Sequence, residues 1–367
     1  MEHFDIAIIG TGSGNTIIDE RFSGKKIAIC EQGVFGGTCL NVGCIPTKMF
    51  VYAAEVAQTV RDAARFGVDA HIDGVRWTDI VSRVFGRIDP LAAGGENYRR
   101  SSPDVTVYDS HTRFAGREGD GYRLRTDAGD EFTASQVVIA AGAIIRGAAM
   151  LSHCDDTICE RYTDIAGKKW EIRSHRNMTG AHVDGSQTVV ELDDGSQLHA
   201  DAVLVATGRK PNGDLMDVHL AGVELDEDGL VVVDDYQRTT ARGIFALGDV
   251  SSHYQLKHVA NHEARVVRHN LLQDWDDTDA LMYSDHRFVP SAVFTDPQIA
   301  SVGLTENEAR AAGYKISVKV QDYSDVAYGW AMEDTTGFAK IIVEQDSGKI
   351  LGAHIMGHQA SSLIQPL

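Results

Sequence analysis

The stretch "HFDIAIIGTGSGNTIIDERFSGKKIAICEQG", residues 3–33, constrains the fold more than any other. Phe4 to Ile9 form a short apolar strand that runs straight into Gly10, Gly12 and Gly14. A helix is predicted from Asn15 to Phe22, then a buried strand from Lys26 to Cys30, closed by Glu31. Strand, glycine turn, helix and strand in this order describe a βαβ unit, which commits the chain to a parallel sheet with crossover connections.

The residue types at the turn match the needs of a dinucleotide. Gly10 permits the tight turn, and Gly12 lets backbone approach a pyrophosphate closely. The N-terminus of the predicted helix would offer unpaired N–H groups and a positive dipole end to that anion. Glu31, about twenty residues on, is placed to accept hydrogen bonds from a ribose diol. The third glycine of G-x-G-x-x-G should fall at residue 15, which is Asn15, so helix and strand are expected slightly farther apart. The bland alternative is a glycine-rich turn that holds no ligand.

A chain of 367 residues predicts two or three domains, and 43% hydrophobic with 24% charged residues suits folded cores. The net charge of -19 argues against nucleic acid or an anionic membrane as the main partner. The start "MEHFDIAIIG" has neither the basic opening nor the long apolar stretch of a signal peptide, and no segment is apolar for long enough to span a bilayer. Five cysteines are too few for a disulfide scaffold, and a reducing cytoplasm is the expected setting.

Two of the five cysteines sit in "GGTCLNVGCIPTK", residues 36–48. In a regular helix, residues five apart are separated by roughly 7.5 Å of rise and about 140° of rotation. Disulfide Cα atoms lie roughly 4.4–6.8 Å apart, so Cys39 and Cys44 bridge only across a distorted opening turn, which Gly43 permits. Pro46 fits the first turn of a helix predicted through "TKMFVYAAEVAQTVRDAARF". A helix N-terminus lowers a thiol pKa, and a small strained ring favours a reducible disulfide. Two buried free thiols remain open as an alternative; a metal site lacks matched ligands nearby. Cys154 and Cys159 repeat the spacing in "HCDDTICERY" without flanking glycines or a following proline, and read as structural. Cys30 reads as core.

"GGTCLNVGCIPTK" after a glycine-turn unit resembles the redox-active disulfide of the class I pyridine nucleotide-disulfide oxidoreductases. This family includes glutathione reductase, dihydrolipoamide dehydrogenase and mycothione reductase. "TTARGIFALGDVSS" (239–252) resembles its second FAD motif, "VVIAAG" (137–142) and "VLVATG" (203–208) its strand-turn motifs, and "FVPSAVFTDPQIASVGLTENEARAAG" (288–313) the opening of its dimerisation domain. "GTGSGNTIIDERF" and "HCDDTICERYT" look most like the mycothione reductase branch.

The resemblance implies an α/β fold: two Rossmann-like domains, for FAD and NADPH, plus a C-terminal α+β dimerisation domain. The expected segments are 1–143 and 210–284 for FAD, 144–209 for a remnant of the NADPH domain, and 285–367 for a truncated dimerisation domain. It implies a homodimer reducing a small-molecule disulfide, with no nucleic acid and no membrane involved. The expected substrate is mycothione, or dihydrolipoamide with NAD as the alternative. Cys44 would be the flavin-side cysteine and Cys39 the exposed thiolate that attacks substrate. Gly10, Gly12, Gly14, Glu31, Gly37, Thr38, Gly142, Gly248 and Asp249 would surround FAD. Lys48 would lie by the flavin or be a solvated lysine, and Arg146 would meet the NADPH 2′-phosphate or be a solvated loop residue. No metal is expected.

Two parts of the family pattern are missing. Residues 119–142 and 184–208 repeat a hairpin followed by an apolar strand ending in glycine, yet only the first copy follows a glycine-turn βαβ. Between Gly142 and Cys154 lies only "AIIRGAAMLSH", too short for the NADPH fingerprint. The chain also stops at "SSLIQPL", before the family's His-Pro general acid, and His354 and His358 read as structural. A splice of pieces from a longer protein explains both gaps better than a true deletion, which would leave a sheet edge and an apolar face uncovered. If the deletion is real, a non-catalytic FAD-binding protein is the alternative.

Overall fold

Parallel pairing in register brings the ends of three strands together at the glycine turn. The computed structural model describes residues 1–145, 151, 154–173, 176–204, 206 and 208–367; Arg146 lies outside them. These divide into two compact units, Met1–Ile144 with Lys210–His286, and Ile145–Arg209 with Arg287–Leu367. The segments expected at 1–143 and 210–284 fall in the first unit. Those at 144–209 and 285–367 fall in the second, apart from their edge residues.

The first unit is built on β1 (Glu2–Ile9), β2 (Ile27–Cys30), β3 (Val105–Tyr108), β4 (Thr112–Glu118), β5 (Gly121–Thr126) and β6 (Glu131–Ile139). The sheet order is β3-β2-β1-β6-β5-β4, with strand Ile244–Ala246 also pairing β6. β1 runs parallel to β2 and to β6, matching Ile9 with Cys30 and with Ile139. Ile6 and Ile8 pack into one buried cluster and Phe4, Ala7 and Ile9 into another, so both faces of β1 are covered, as for a central parallel strand. The chain moves from β1 to β2 on one side and returns as β6 on the other. Gly10 therefore sits where strand order reverses, the place open α/β sheets use for ligands.

The predicted helix after the glycine turn does not form. Gly14–Thr16 and Glu20–Phe22 are single 3₁₀ turns instead. The cause is the long helix α3 (Trp77–Arg100), introduced after α1 (Gly37–Asn41) and α2 (Cys44–Asp62). From α3, the buried Arg99 donates Nε–H to Asn15 Oδ1 at 2.8 Å, and its guanidinium also reaches the carbonyls of Asn15 and Ile18. Those carbonyls would have accepted the i+4 bonds of a helix. Asn15, the departure from the glycine pattern, thus serves as Arg99's partner, and the helix-dipole argument for this turn falls.

In the second unit, helix Asp156–Lys169 buries Ile158, Tyr162 and Ala166, spaced one turn apart, against Ile299, Phe338 and Met356. The last three belong to a five-stranded antiparallel sheet, ordered Ser291–Val293, Ile299–Gly303, Ile350–Met356, Phe338–Glu344, Ile316–Asp322. Met178–Asp184, Gln187–Leu192 and Gln197–Ala200 make a separate antiparallel sheet. The strand expected at "VLVATG" is absent over Ala202, Val203 and Leu204, and Leu204 is 90% exposed. In the first copy of the repeat, β6 is flanked by β1 and Ile244–Ala246. Among the described residues no βαβ unit flanks the second copy.

One buried cation ties the helix to the five-stranded sheet. Lys340 Nζ, 3% exposed, lies 2.8 Å from Asp155 Oδ1 and 2.9 Å from Glu306 Oε2. Asp155 also caps the helix by accepting from Thr157 N. Asp155→Ala strips the cap and one partner from a buried ammonium. It is expected to cost about 3 kcal/mol in a denaturant melt, against about 1 kcal/mol for losing the cap alone.

Candidate active site

The cysteine helix is strapped to the glycine turn by backbone contact. Gly36 and Gly37 both adopt positive φ, 104° and 67°, and turn the chain into α1. A Cβ on Gly37 would lie 2.7 Å from Gly12 Cα, so the two turns touch with no side chain between them. Glu31 reinforces the strap. Its Oε2 accepts from Thr11 N at 3.0 Å and from Thr11 Oγ1, while Oε1 accepts from Gly33 N at 2.9 Å. Thr11 Oγ1 in turn accepts from Gly36 N. Glu31 therefore spends part of its accepting capacity on the fold.

Gly43 is what lets two cysteines five residues apart meet. Helix α1 ends at Asn41 and α2 begins at Cys44. A Cβ on Gly43 would fall 2.8 Å from the Thr38 carbonyl and 3.3 Å from Cys39 Cα. Only glycine allows the chain to fold back so closely. Pro46 is the one buried residue of α2, inside the first turn where a missing N–H costs nothing.

Both cysteines are free thiols, and their proton is shared unequally. The Cys39 thiol donates to Cys44; with the Cys44 backbone N–H and the positive charges of Lys48 and Lys257, this pulls Cys44 down to about 6, despite partial burial. Cys44 is therefore mostly thiolate at neutral pH. Cys39 moves upward, held protonated by that same bond and by burial. Of the two, Cys39 is half-buried and Cys44 exposed. The equally spaced Cys154 and Cys159 behave in the opposite way. Burial pushes Cys154 up to about 11 and Cys159 up as well, and Cys159 Sγ donates to the Leu151 carbonyl at 2.9 Å. Burial likewise holds Cys30 up at about 12. Spacing alone does not activate a pair; the glycine break and the lysines do.

Gly142, Gly248 and Asp249 follow strands that end beside Ile9. Gly142, with φ +71°, follows β6, and its carbonyl accepts from Asn212 N at 3.0 Å. Gly248 and the half-buried Asp249 form a 3₁₀ turn just after strand Ile244–Ala246. Helix Lys257–Asn270 packs against this turn, since a Cβ on Gly248 would lie 3.2 Å from Ala260 Cβ. Gly14 is buried beneath the first turn, Thr38 is exposed on α1 and Lys48 is exposed on α2.

Sequence reasoning missed Glu263. Its buried carboxylate accepts from Gly248 N at 2.6 Å and lies 2.9 Å from His286 Nε2, an ion-pair contact without the alignment of a straight hydrogen bond. Glu263 raises the His286 pKa; Asp235 and Asp285 add to this, and the rings of Tyr254 and His262 complete the surroundings. A histidine raised above its unfolded value, about 6.5, stabilises the fold fully below that pH and loses the effect as pH rises through the folded value. His262, lowered by burial and accepting from Asp285 N, works in the opposite sense. The first unit's melting temperature in wild type minus that in His286→Gln is therefore expected to be larger at pH 6 than at pH 8.5.

These features fit FAD. A glycine turn bare of side chains at Gly10, Gly12 and Gly14 ends β1, an acid stands at the end of β2, and a Gly-Asp turn follows strand Ile244–Ala246. The described residues of the second unit do not build a comparable cradle for a pyridine nucleotide. The sheets there are antiparallel, and the described residues place no glycine turn between a parallel strand and helix Asp156–Lys169. Among the described residues no group of His, Cys, Asp or Glu is arranged to hold a metal ion, and no helix is long and apolar enough to cross a membrane.

Comparison with known proteins agrees with this geometry. The pyridine nucleotide-disulphide oxidoreductase signature matches residues 4–150 and 144–264, and the dimerisation domain of the same enzymes matches 289–367. A mycothione reductase from Mycobacterium tuberculosis (strain H37Rv strain ATCC 25618) is 60% identical, covering 100% of this chain and 92% of the relative. That alignment runs over 424 positions, so the relative carries segments this chain lacks. A dihydrolipoyl dehydrogenase from Mycobacterium leprae (strain TN) is 29% identical over 100% of this chain and 91% of its own length. Among solved structures, the HOCl-induced flavoprotein disulfide reductase RclA from Escherichia coli superimposes with a TM-score of 0.82 at 23% identity, covering 99% of this chain and 92% of RclA. The chain belongs to the class I pyridine nucleotide-disulfide oxidoreductase family, whose mycothione reductase branch uses FAD and NADPH and whose dimerisation domain makes a homodimer.

Proposed function

We propose that this chain is an FAD-dependent disulfide reductase that passes electrons from NADPH through the Cys39–Cys44 pair to mycothione, the disulfide of mycothiol, in the cytoplasm. The observation that carries this reading is a dithiol with its charge gathered on Cys44, strapped to a glycine turn at the reversal point of a parallel sheet. The substrate follows from the relative at 60% identity, against 26–30% for the dihydrolipoyl dehydrogenases. A cytoplasmic setting suits a pair that must stay reducible.

FAD, when bound, supplies the two electrons that open the Cys39–Cys44 disulfide. Gly10, Gly12, Gly14, Glu31, Gly37, Thr38, Gly142, Gly248 and Asp249 would surround it, with Lys48 beside its redox-active end. Arg146 would meet the 2′-phosphate of NADPH. Cys39 Sγ attacks one sulfur of the substrate disulfide; a Cys39–substrate disulfide forms, and the proton from Cys39 leaves with the first thiol. Cys44 thiolate then attacks Cys39 Sγ, the internal disulfide closes, and the second substrate sulfur departs as thiolate. An acid from the second subunit would protonate it.

The test is an anaerobic NADPH titration of the purified protein. The expected result is a long-wavelength absorbance band from a thiolate beside the flavin, appearing at two electrons per subunit. Its absence in the wild-type protein would remove the redox-pair reading, and faster reduction by NADH would favour dihydrolipoamide as substrate.

A further inference from the structure

Helix Lys257–Asn270 buries an apolar stripe that includes Val259, Val266 and Val267, and two polar residues, Glu263 and Asn270, are buried with it at 1% exposure each. A buried acid or amide is costly unless its polar atoms are met. Asn270 spends its amide on backbone. Its Nδ2 donates to the carbonyls of Tyr236 and Met282 at 3.0 and 2.8 Å, and its Oδ1 accepts from Met282 N at 2.8 Å. Three more bonds hold the chain that follows Met282. Ser284 N donates to the Asp235 carbonyl at 2.7 Å, Asp285 N to His262 Nε2 at 3.2 Å, and Tyr254 Oη to the His286 carbonyl at 3.0 Å. Residues 282–286 are thus strapped along the helix, and the strap ends with His286 against Glu263.

Glu263 uses its two oxygens on two different elements. Oε2 accepts from Gly248 N at 2.6 Å, while Oε1 lies 2.9 Å from His286 Nε2. Gly248 opens the 3₁₀ turn Gly248–Val250, which carries Asp249. It has φ +75°, and its close approach to Ala260 presses the turn against the helix one turn before Glu263. One buried carboxylate therefore joins the Gly-Asp turn to the end of the strap. The other groups facing His286 are Asp235, Asp285, Tyr254 and His262, and Arg265 faces His262 in turn. We propose that Glu263 is a positioning residue for FAD: with His286 as its ion-pair partner, its carboxylate fixes the Gly248–Asp249 turn in the shape that holds the cofactor. This rests on the reading that Gly248 and Asp249 bind FAD. It adds that cofactor retention is set from behind the turn, by a buried acid and a histidine far along the chain.

The test is the rate at which FAD leaves the oxidised holoprotein, read as the rise of free-flavin fluorescence after dilution, well below the melting temperature. Oxidation keeps Cys39 and Cys44 in their disulfide, so neither thiol titrates. Glu263→Ala is expected to release FAD about 10–100-fold faster. Glu263→Gln still offers Gly248 N an acceptor but carries no charge, and about 3–10-fold faster release is expected. In wild type, release should be about threefold faster at pH 8.5 than at pH 6, because His286 gives up its proton over that range, and His286→Gln should flatten the profile. Variants at Glu263 that hold FAD as tightly as wild type would overturn the proposal. So would a pH slope that persists in His286→Gln, because Glu263 would then act by packing alone. Should Glu263→Ala fail to fold, Glu263→Gln and His286→Gln read the same rate. A wild-type protein that binds no FAD would remove the FAD reading itself and the proposal with it, whereas unchanged release from the variants would remove the proposal alone.

Discussion

Cys44→Ser is expected to abolish disulfide turnover, lowering kcat by at least about 10³-fold, while flavin content and melting temperature stay near wild type. The size follows from the chemistry. A serine hydroxyl neither ionises at neutral pH nor forms a bond to Cys39 that can be reopened by two electrons, so both halves of the cycle stop. Stability should change little because Cys44 is exposed and the fold depends on the glycines around it. Cys39→Ser should stop turnover equally but differ in the NADPH titration. It leaves Cys44 with Lys48, Lys257 and its helix N-terminus, so the long-wavelength band should persist, whereas Cys44→Ser should lose it. Replacing Cys154 or Cys159 with serine should leave turnover intact, since burial keeps both protonated. A Cys44→Ser protein that still turned over at more than a few per cent of wild type would place the exchange elsewhere.

Gly10→Ala should be nearly as damaging by a different route. Gly10 has φ +104°, and a Cβ there would sit 2.2 Å from the Ala140 carbonyl oxygen and 2.8 Å from its carbon. No rotamer relieves a clash with backbone. Gly10 is also clamped, its N–H donating to Cys30 O at 2.9 Å while Ala140 N donates to Ile9 O at 2.8 Å. Moving it breaks register between β1, β2 and β6 at once. The expected loss is about 4 kcal/mol or more, lowering the melting temperature of the first unit by roughly 8–16 °C with release of flavin. Gly24→Ala is the control. It too has a positive φ, 80°, but nothing lies within 4 Å of its Cβ position, so about 1 kcal/mol is expected. Equal losses at the two positions would show that backbone strain, and not the closeness of Ala140, governs the turn.

Much of this site was legible in the first 50 residues. The apolar run into Gly10, the acid at Glu31 and the Gly43–Cys44–Pro46 spacing are local signals, and the strands, turns and cysteine helix they imply all form. The helix after Gly14 was misread because the competing donor, Arg99, is 84 residues away on α3. The strand expected from residue 203 is absent over Val203 and Leu204, which, unlike β6, have no flanking strand among the described residues. Lys257 and Glu263 gave no signal beyond being polar residues on an amphipathic helix.

Spacing along the chain was sufficient to specify a glycine turn after β1, a helix that begins at Cys44 and the family they mark, since each depends on backbone torsions and neighbours a few residues apart. Which of the two thiols is drawn toward ionisation came from packing. Cys44, Lys48 and Lys257 lie on two separate stretches of sequence, and electrostatic energy depends on distance through space, which the linear order of residues does not contain.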